Sequence, residues 1–264
     1  MTTDSGRSRP RPTISAALAA WALMPMLACA QPAPETSAMP AAETDAAMQR
    51  APNTLTAAEQ AAGWKLLFDG KTTAGWRGWK QEAMPEGWAA VDGTLTRTAG
   101  GGGDIITVDQ YDNFELALDW KIAPGGNSGI FFHVTEEGDA MYWSAPEFQV
   151  LDDSAHADGL VPETSAGANY ALNAPTKEMA RPVGEWNEAR ILVNGPHVEH
   201  WLNGEKIVEY ELWSDDWKAR VAASKFAAWP IYGMAKTGYI GLQEHGSAVA
   251  YRNIRIRPIP SGGS

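Results

Sequence analysis

The chain has 264 residues and carries 32 Asp and Glu against 21 Lys and Arg, a formal charge of −11 at pH 7. So acidic a chain offers no basic face to a phosphate backbone, which excludes nucleic acid as the partner. A single cysteine allows no internal disulfide, and the length suits one large β domain or two small ones. The 12 Trp supply flat apolar faces with one N–H each, of use in a core and against a sugar ring.

Arg7, Arg9 and Arg11 precede an almost wholly apolar run of small residues from Ile14 to Ala30, interrupted by Pro25. The run is short for a membrane span and reads as an export signal over residues 1–29. No later segment is apolar enough to span a bilayer. The stretch Met26-Leu-Ala-Cys29 resembles a bacterial lipobox, with Met26 where Leu is usual. It would make Cys29 the lipidated N-terminus of a periplasmic or outer-membrane lipoprotein. Ala28-Cys29-Ala30 also offers an A-x-A site to ordinary signal peptidase, and either route exports the protein. Residues 30–62, rich in Ala, Pro, Thr and Glu, read as a flexible tether. The globular domain is expected over 63–258, followed by a tail at 259–264.

Within that domain the texture is β. Trp64–Phe68 reads as a strand closed by a turn at Gly70-Lys71-Thr72. Asp92-Gly93 and Asn203-Gly204 lie between strand-like runs and signal primed-turn hairpins. Phe114, Leu116, Leu118, Trp120 and Ile122 share one face of a strand whose other face carries Glu115, Asp119 and Lys121. Ile130–Thr135, Trp186–Val193, His197–Leu202, Gly238–Gln243 and Ala248–Arg257 also read as strands. One short helix is expected over Asp215–Lys225, capped by Ser214 with acids in its first turn. Many short strands with Gly-rich turns and one helix predict an all-β, antiparallel two-sheet sandwich.

Several familiar motifs fail on spacing. Gly70-Lys71-Thr72 lacks the glycine that a phosphate loop needs, since position 65 is Lys, and Gly100–Gly103 lacks the dinucleotide spacing. On a strand His197 and His200 point to opposite faces, so without a bulge they cannot share one metal ion. There is no G-x-S-x-G elbow. The stretch Ala145-Pro-Glu-Phe-Gln-Val-Leu-Asp-Asp153 is more informative. Phe148 and Val150 alternate with Glu147 and Gln149, and Glu and Gln are unusual on an outward strand face. Sandwich-fold glucanases place three acids along such a strand as E-x-D-x-E; here the run is Glu147-x-Gln149-x-Leu151 and one acid remains. Two-carboxyl glycoside hydrolysis is therefore short of a partner, and Asp152 and Asp153 fall after the strand.

An ordered set of segments carries a family resemblance: G-W-K-L-L-F-D-G-K at 63–71, G-N-S-G-I-F-F-H at 126–133, E-F-Q-V-L-D-D at 147–153, A-G-A-N-Y-A-L at 166–172, H-W-L-N-G at 200–204, S-K-F at 224–226, G-Y-I-G-L-Q-E-H-G at 238–246 and Y-R-N-I-R-I at 251–256. Together they are similar to the 3-keto-disaccharide hydrolase family of exported bacterial proteins. The resemblance implies a concanavalin-like jelly roll with a sugar site on its concave sheet. It places Glu147 and Gln149 in the groove, with Phe131 and His133 on the same face and Gln243 and His245 on a further strand. Asn127 and Ser128 feed that face, and Asp152 and Tyr170 border it. Where the family often has Arg, this chain has His133.

The implied substrate is an oxidised (3-keto) glycoside. Its ketone acidifies the hydrogen on C2, so one base, one acid and one group at the C3 oxygen suffice for elimination. Glu147 or a groove histidine is the candidate base and His200 or His245 the candidate acid. Lys225, His133 or a divalent metal ion is the candidate for the C3 oxygen. Each has a plainer reading: Glu147 pairing with an Arg, His200 as a core histidine beside Val198 and Leu202, Tyr170 as packing, Lys225 as a helix cap. The rival function is a non-catalytic carbohydrate-binding module.

Overall fold

A computed structural model describes residues 51–98 and 101–260. The expected export signal, Cys29, the tether before residue 51 and residues 261–264 lie outside the described residues. Within them, the strands form two antiparallel sheets. The larger runs in the order β11 (Glu205–Glu211), β10 (His197–Leu202), β9 (Asn187–Asn194), β6 (Phe114–Ile122), β13 (Val249–Pro258), β4 (Thr94–Arg97) and β3 (Trp88–Val91). A short β1 (Lys65–Leu66) also pairs with β13. The smaller sheet runs β2 (Trp76–Gly78), β5 (Ile105–Tyr111), β12 (Gly238–Leu242), β7 (Asn127–Val134) and β8 (Glu147–Leu151).

Both expected hairpins form. Asp92 and Gly93 join β3 to β4 with φ of 48° and 76°, and Asn203 and Gly204 join β10 to β11 with φ of 51° and 87°. Two consecutive positive φ angles give the turn a twist that matches its strands, and Asn, Asp and Gly reach them most cheaply. Along β6 the apolar face lies in the layer between the sheets, where Phe114, Leu116, Leu118, Trp120 and Ile122 join Ile130, Phe132, Phe148 and Val150 in one core. The polar face is balanced rather than solvated. Glu115 pairs with Arg190 and Arg257, and Asp119 accepts hydrogen bonds from Arg252 (3.0 Å) and Asn253 (2.7 Å).

Two expectations change at their edges. Residues 51–62, read as the end of the tether, are packed onto the domain. Asn53 and Asn253 exchange backbone-to-side-chain hydrogen bonds of 2.7 and 2.8 Å at a bulge in β13, where Asn253 has φ of 56°. Thr56 and Glu59 then form a capping box on α1 (Ala57–Ala61), and Glu59 reaches Arg255 at 3.2 Å. The second helix, α2 (Asp215–Ala223), has its Ser214 cap but stops before Lys225. Ser224 turns extended and opens a 3-10 turn over Lys225–Ala228.

Candidate active site

Alternation along β8 sends Phe148 and Val150 into the core and leaves Glu147 and Gln149 on the outer face of the smaller sheet. In the register of β7 with β8, Gly129 stands opposite Gln149 and Phe131 opposite Glu147. Gly129 makes the room for the carboxyl: a Cβ there would lie 2.2 Å from Glu147 Oε1. Glu147 is only 5 % exposed and its carboxyl makes no hydrogen bond or ion pair among the described residues. Burial pushes its pKa up to about 8, with Lys225 opposing the rise and Asp104 and Asp158 adding to it.

Above Glu147 is a cavity of about 260 Å³, lined also by Asn127, Tyr142, Gln149, Tyr170, Lys225, Trp229, Gln243 and His245. Gln149 donates to the Thr164 carbonyl at 3.1 Å, which leaves its Oε1 buried without a partner; Gln243 Oε1 is in the same condition. Both are acceptors that a ligand's hydroxyl groups would satisfy. Tyr170 donates to Asp158 at 3.2 Å, and its ring carries Lys225 Nζ 4.3 Å from the centroid. Trp229 stacks on Trp143 and meets Tyr142 edge-on, each at 5.4 Å, to form an aromatic wall.

His245 is exposed on the loop that follows β12, and that loop is tied down from several sides. Asp104 accepts the Glu244 N–H at 2.8 Å, Arg97 pairs with the Glu244 carboxylate and donates to the Ser247 carbonyl, and Ser128 donates to the Gln243 carbonyl at 2.7 Å. Burial pushes Asp104 up to about 6.

A larger depression of about 600 Å³ lies on the outer face of the other sheet, over Lys121, Trp186 and Arg252. It is the weaker candidate. The Trp186 ring is covered by Arg252 at 4.1 Å and Lys121 at 4.9 Å, and the flanking Asp69 and Asp92 are exposed.

The pocket thus gathers Asn127, Glu147, Gln149, Tyr170, Lys225, Gln243 and His245 from the residues expected by sequence, and five others lie elsewhere. His133 has φ of 52°, which breaks the alternation of β7 and turns its ring onto Phe114 and Phe132, with Nε2 2.7 Å from the Asp112 carbonyl. Burial lowers its pKa. His200 is fully buried in the inter-sheet layer, 5.0 Å from Phe148 and 3.0 Å from the Gly167 carbonyl, so β8 separates it from Glu147. Burial pushes it down to about 4, a neutral core histidine. Phe131 shares the face of Glu147 but is packed with Ile106, Met141 and Ala145. Ser128 points inward to the Tyr251 hydroxyl at 2.7 Å. Asp152 closes a turn by accepting from the Gly125 and Ser154 amides. Tyr142 and Trp229 are additions that the sequence reading missed. They arrive on irregular segments far apart in the chain, and nothing in their local pattern distinguishes them from core aromatics.

Two places have the donor types for a metal ion. In the pocket the oxygens of Glu147, Gln149 and Gln243 are of the hard kind that a divalent ion takes. At the sheet edge, ligand atoms of His197, Glu199 and Glu209 lie within 4.8 Å of one another. There Lys206 Nζ already sits 3.1 Å from Glu199 and 2.6 Å from Glu209, so the lysine fills the cation position.

A two-sheet jelly roll with a buried carboxyl, amide side chains and an aromatic wall in one outer pocket has the make-up of a carbohydrate-active β-sandwich. The chain belongs to the family of the 3-keto-alpha-glucoside-1,2-lyase-like domain, whose model matches residues 63–257. It is 36% identical over 228 residues to a 3-keto-disaccharide hydrolase of Bacteroides thetaiotaomicron, covering 75% of this chain and 79% of that one. Among solved structures it is similar to a Parabacteroides distasonis protein provisionally assigned as a glycosyl hydrolase, with 37% identity, a TM-score of 0.75, and 79% and 100% of the two chains covered. A second protein of that organism, with the same assignment, gives 30% identity and a TM-score of 0.60 over 74% and 99%. The chain is accordingly an enzyme that cleaves glycosidic bonds.

Proposed function

We propose that the pocket cleaves 3-keto-glycosides, 3-keto-disaccharides among them, by elimination across C1 and C2 followed by addition of water. The observation that carries this reading is the solitary carboxyl: among the described residues, Glu147 is the one Asp or Glu lining the pocket. Hydrolysis of an unoxidised glycoside calls for two carboxyls, about 5–5.5 Å apart for retention or about 6.5–9.5 Å for inversion. A ketone at C3 removes that requirement, because it acidifies the C2 hydrogen and lets one base begin the reaction.

In this reading Glu147 takes the C2 proton, and the C1 oxygen leaves with a proton from His245. Lys225 stabilises the charge that develops at C3. Gln149 and Gln243 accept hydrogen bonds from ring hydroxyls, and Trp229 and Tyr142 pack against the leaving group. The name of the Bacteroides relative supports the substrate class. The test is to incubate the protein with a 3-keto-disaccharide and with its unoxidised parent, with and without chelator. The expected result is cleavage of the keto compound alone, and the chelator arm reports a metal requirement. Binding of either sugar without cleavage would move the protein to a carbohydrate-binding role, and cleavage of the parent would mean a second carboxyl is at work.

Export is proposed as well, from the basic and apolar stretch of residues 1–29. Mass spectrometry of the mature protein distinguishes an acylated N-terminus at Cys29 from an unmodified one at Gln31.

A further inference from the structure

Lys225 is the one Lys or Arg lining the pocket. Lys177, Lys206 and Lys218 each reach a carboxylate within 3.2 Å. Lys225 has neither an ion pair nor a hydrogen bond among the described residues. Its Nζ is instead suspended over rings, 4.3 Å from the centroid of Tyr170, 5.3 Å from Phe226 and 5.7 Å from Tyr142. Its position is set from both ends. The Ser224 side chain accepts the Phe226 N–H at 3.1 Å to fix the turn, and Asp158 holds the Tyr170 ring through its hydroxyl. The stem is exposed on the rim, while the loss of water around the amine lowers its pKa from the ordinary lysine value. An amine held by ring faces and not by a contact ion pair, in a pocket read as receiving a ketone, is set up as a nucleophile.

We propose that Lys225 acts covalently, its Nζ condensing with the C3 ketone of the substrate to form a protonated imine. This deepens the functional reading above and rests on it. The Glu147 carboxyl lines the same pocket, buried and with no hydrogen bond or ion pair among the described residues, and serves as the acid and then the base of the sequence. The amine adds to C3, the Glu147 acid gives its proton to the departing oxygen, and water leaves. A neutral amine, a neutral acid and a ketone become an iminium, a carboxylate and water, with atoms and charge conserved. The carboxylate then takes the C2 proton, and the C2–H electron pair flows toward the positive nitrogen as an enamine. The enamine expels the C1 oxygen, which leaves with the bonding pair and takes a proton from His245, leaving a conjugated iminium. One water adds across C1 and C2, its hydroxyl to C1 and a proton to C2. A second water adds to the imine carbon and releases the Lys225 amine and the ketone, and the proton set free returns to His245.

The test is trapping. The protein is incubated with a 3-keto-disaccharide and cyanoborohydride, which reduces an iminium in preference to a ketone, and the adduct is located by peptide mass spectrometry. The expected result is one sugar unit joined through a secondary amine to Lys225, absent from Lys225→Arg and Lys225→Met. The side chain is on the rim, so both variants should keep the parent's unfolding temperature. Arginine keeps the positive charge but cannot form the imine. Covalent catalysis therefore requires Lys225→Arg to lose turnover as completely as Lys225→Met. Cleavage by the parent with no adduct at Lys225, or Lys225→Arg turning over within a few-fold of the parent, would overturn the covalent role and leave the functional reading standing. Failure to cleave any keto compound would overturn both.

Discussion

Glu147 weakens the fold that holds it. Unfolded, its carboxyl ionises near the ordinary 4.5; folded, near about 8. Between those values the unfolded chain binds fewer protons than the native one, so stability falls as pH rises through the window and levels off above it. Glu147→Gln should therefore be more stable than the parent at pH 8 by on the order of a few kcal/mol, with no gain at pH 4, while turnover falls by about 100-fold or more. Urea titrations at the two pH values and a rate measurement check this; an unchanged stability at pH 8 would mean the native carboxyl is already ionised there. His200 works in the other direction. Its folded pKa of about 4 lies below the ordinary 6.5, so the native state binds fewer protons than the unfolded one in between. Stability is then lost as pH falls from 6.5 to 4. Replacing His200 with Gln should flatten that slope by up to about 1.4 kcal/mol per pH unit, whatever it does to stability overall.

At the level of elements, the pairing of β7 with β8 does the positioning, and Gly129 is its tightest point. Gly129→Ala puts a methyl group where the Glu147 carboxyl lies. The expected cost is about 1–3 kcal/mol of overpacking, with a loss of kcat that exceeds any change in KM; normal kcat in the Gly129→Ala variant would show that the carboxyl has another place to work. These strands also mark what sequence could reveal. The bounds of β6 follow from its alternation, those of β10 match the expected His197–Leu202, and period two puts Glu147 and Gln149 on the outer face. The reasoning failed where the period did. His133 adopts a positive φ that no neighbour announces, so counting by twos carried it to the wrong face. Alternation did put His200 on the same face as Val198 and Leu202, a sign that it belonged to the core. Tyr142 and Trp229 come from irregular segments and meet only through tertiary packing, which has no period to read.

For the molecule as a whole, the two sheets have divided tasks. The outer face of the smaller one carries the pocket, and the outer face of the larger receives the incoming chain, where Asn53 docks into the bulge of β13. The Asn53 side chain accepts the Asn253 N–H and donates to the Gly93 carbonyl, each at 2.8 Å, and these two bonds are at stake. Asn53→Ala should cost about 1–3 kcal/mol in thermal unfolding and leave turnover intact; a fall in turnover at temperatures where the variant stays folded would show that the two faces communicate. The docking of residues 51–62 on the face away from the pocket also has a practical side. An enzyme coupled to a bead through the residues before Ala51 would present the pocket of the smaller sheet to the flowing solution and its back to the matrix. Fusion partners attached at that end should leave substrate entry unobstructed.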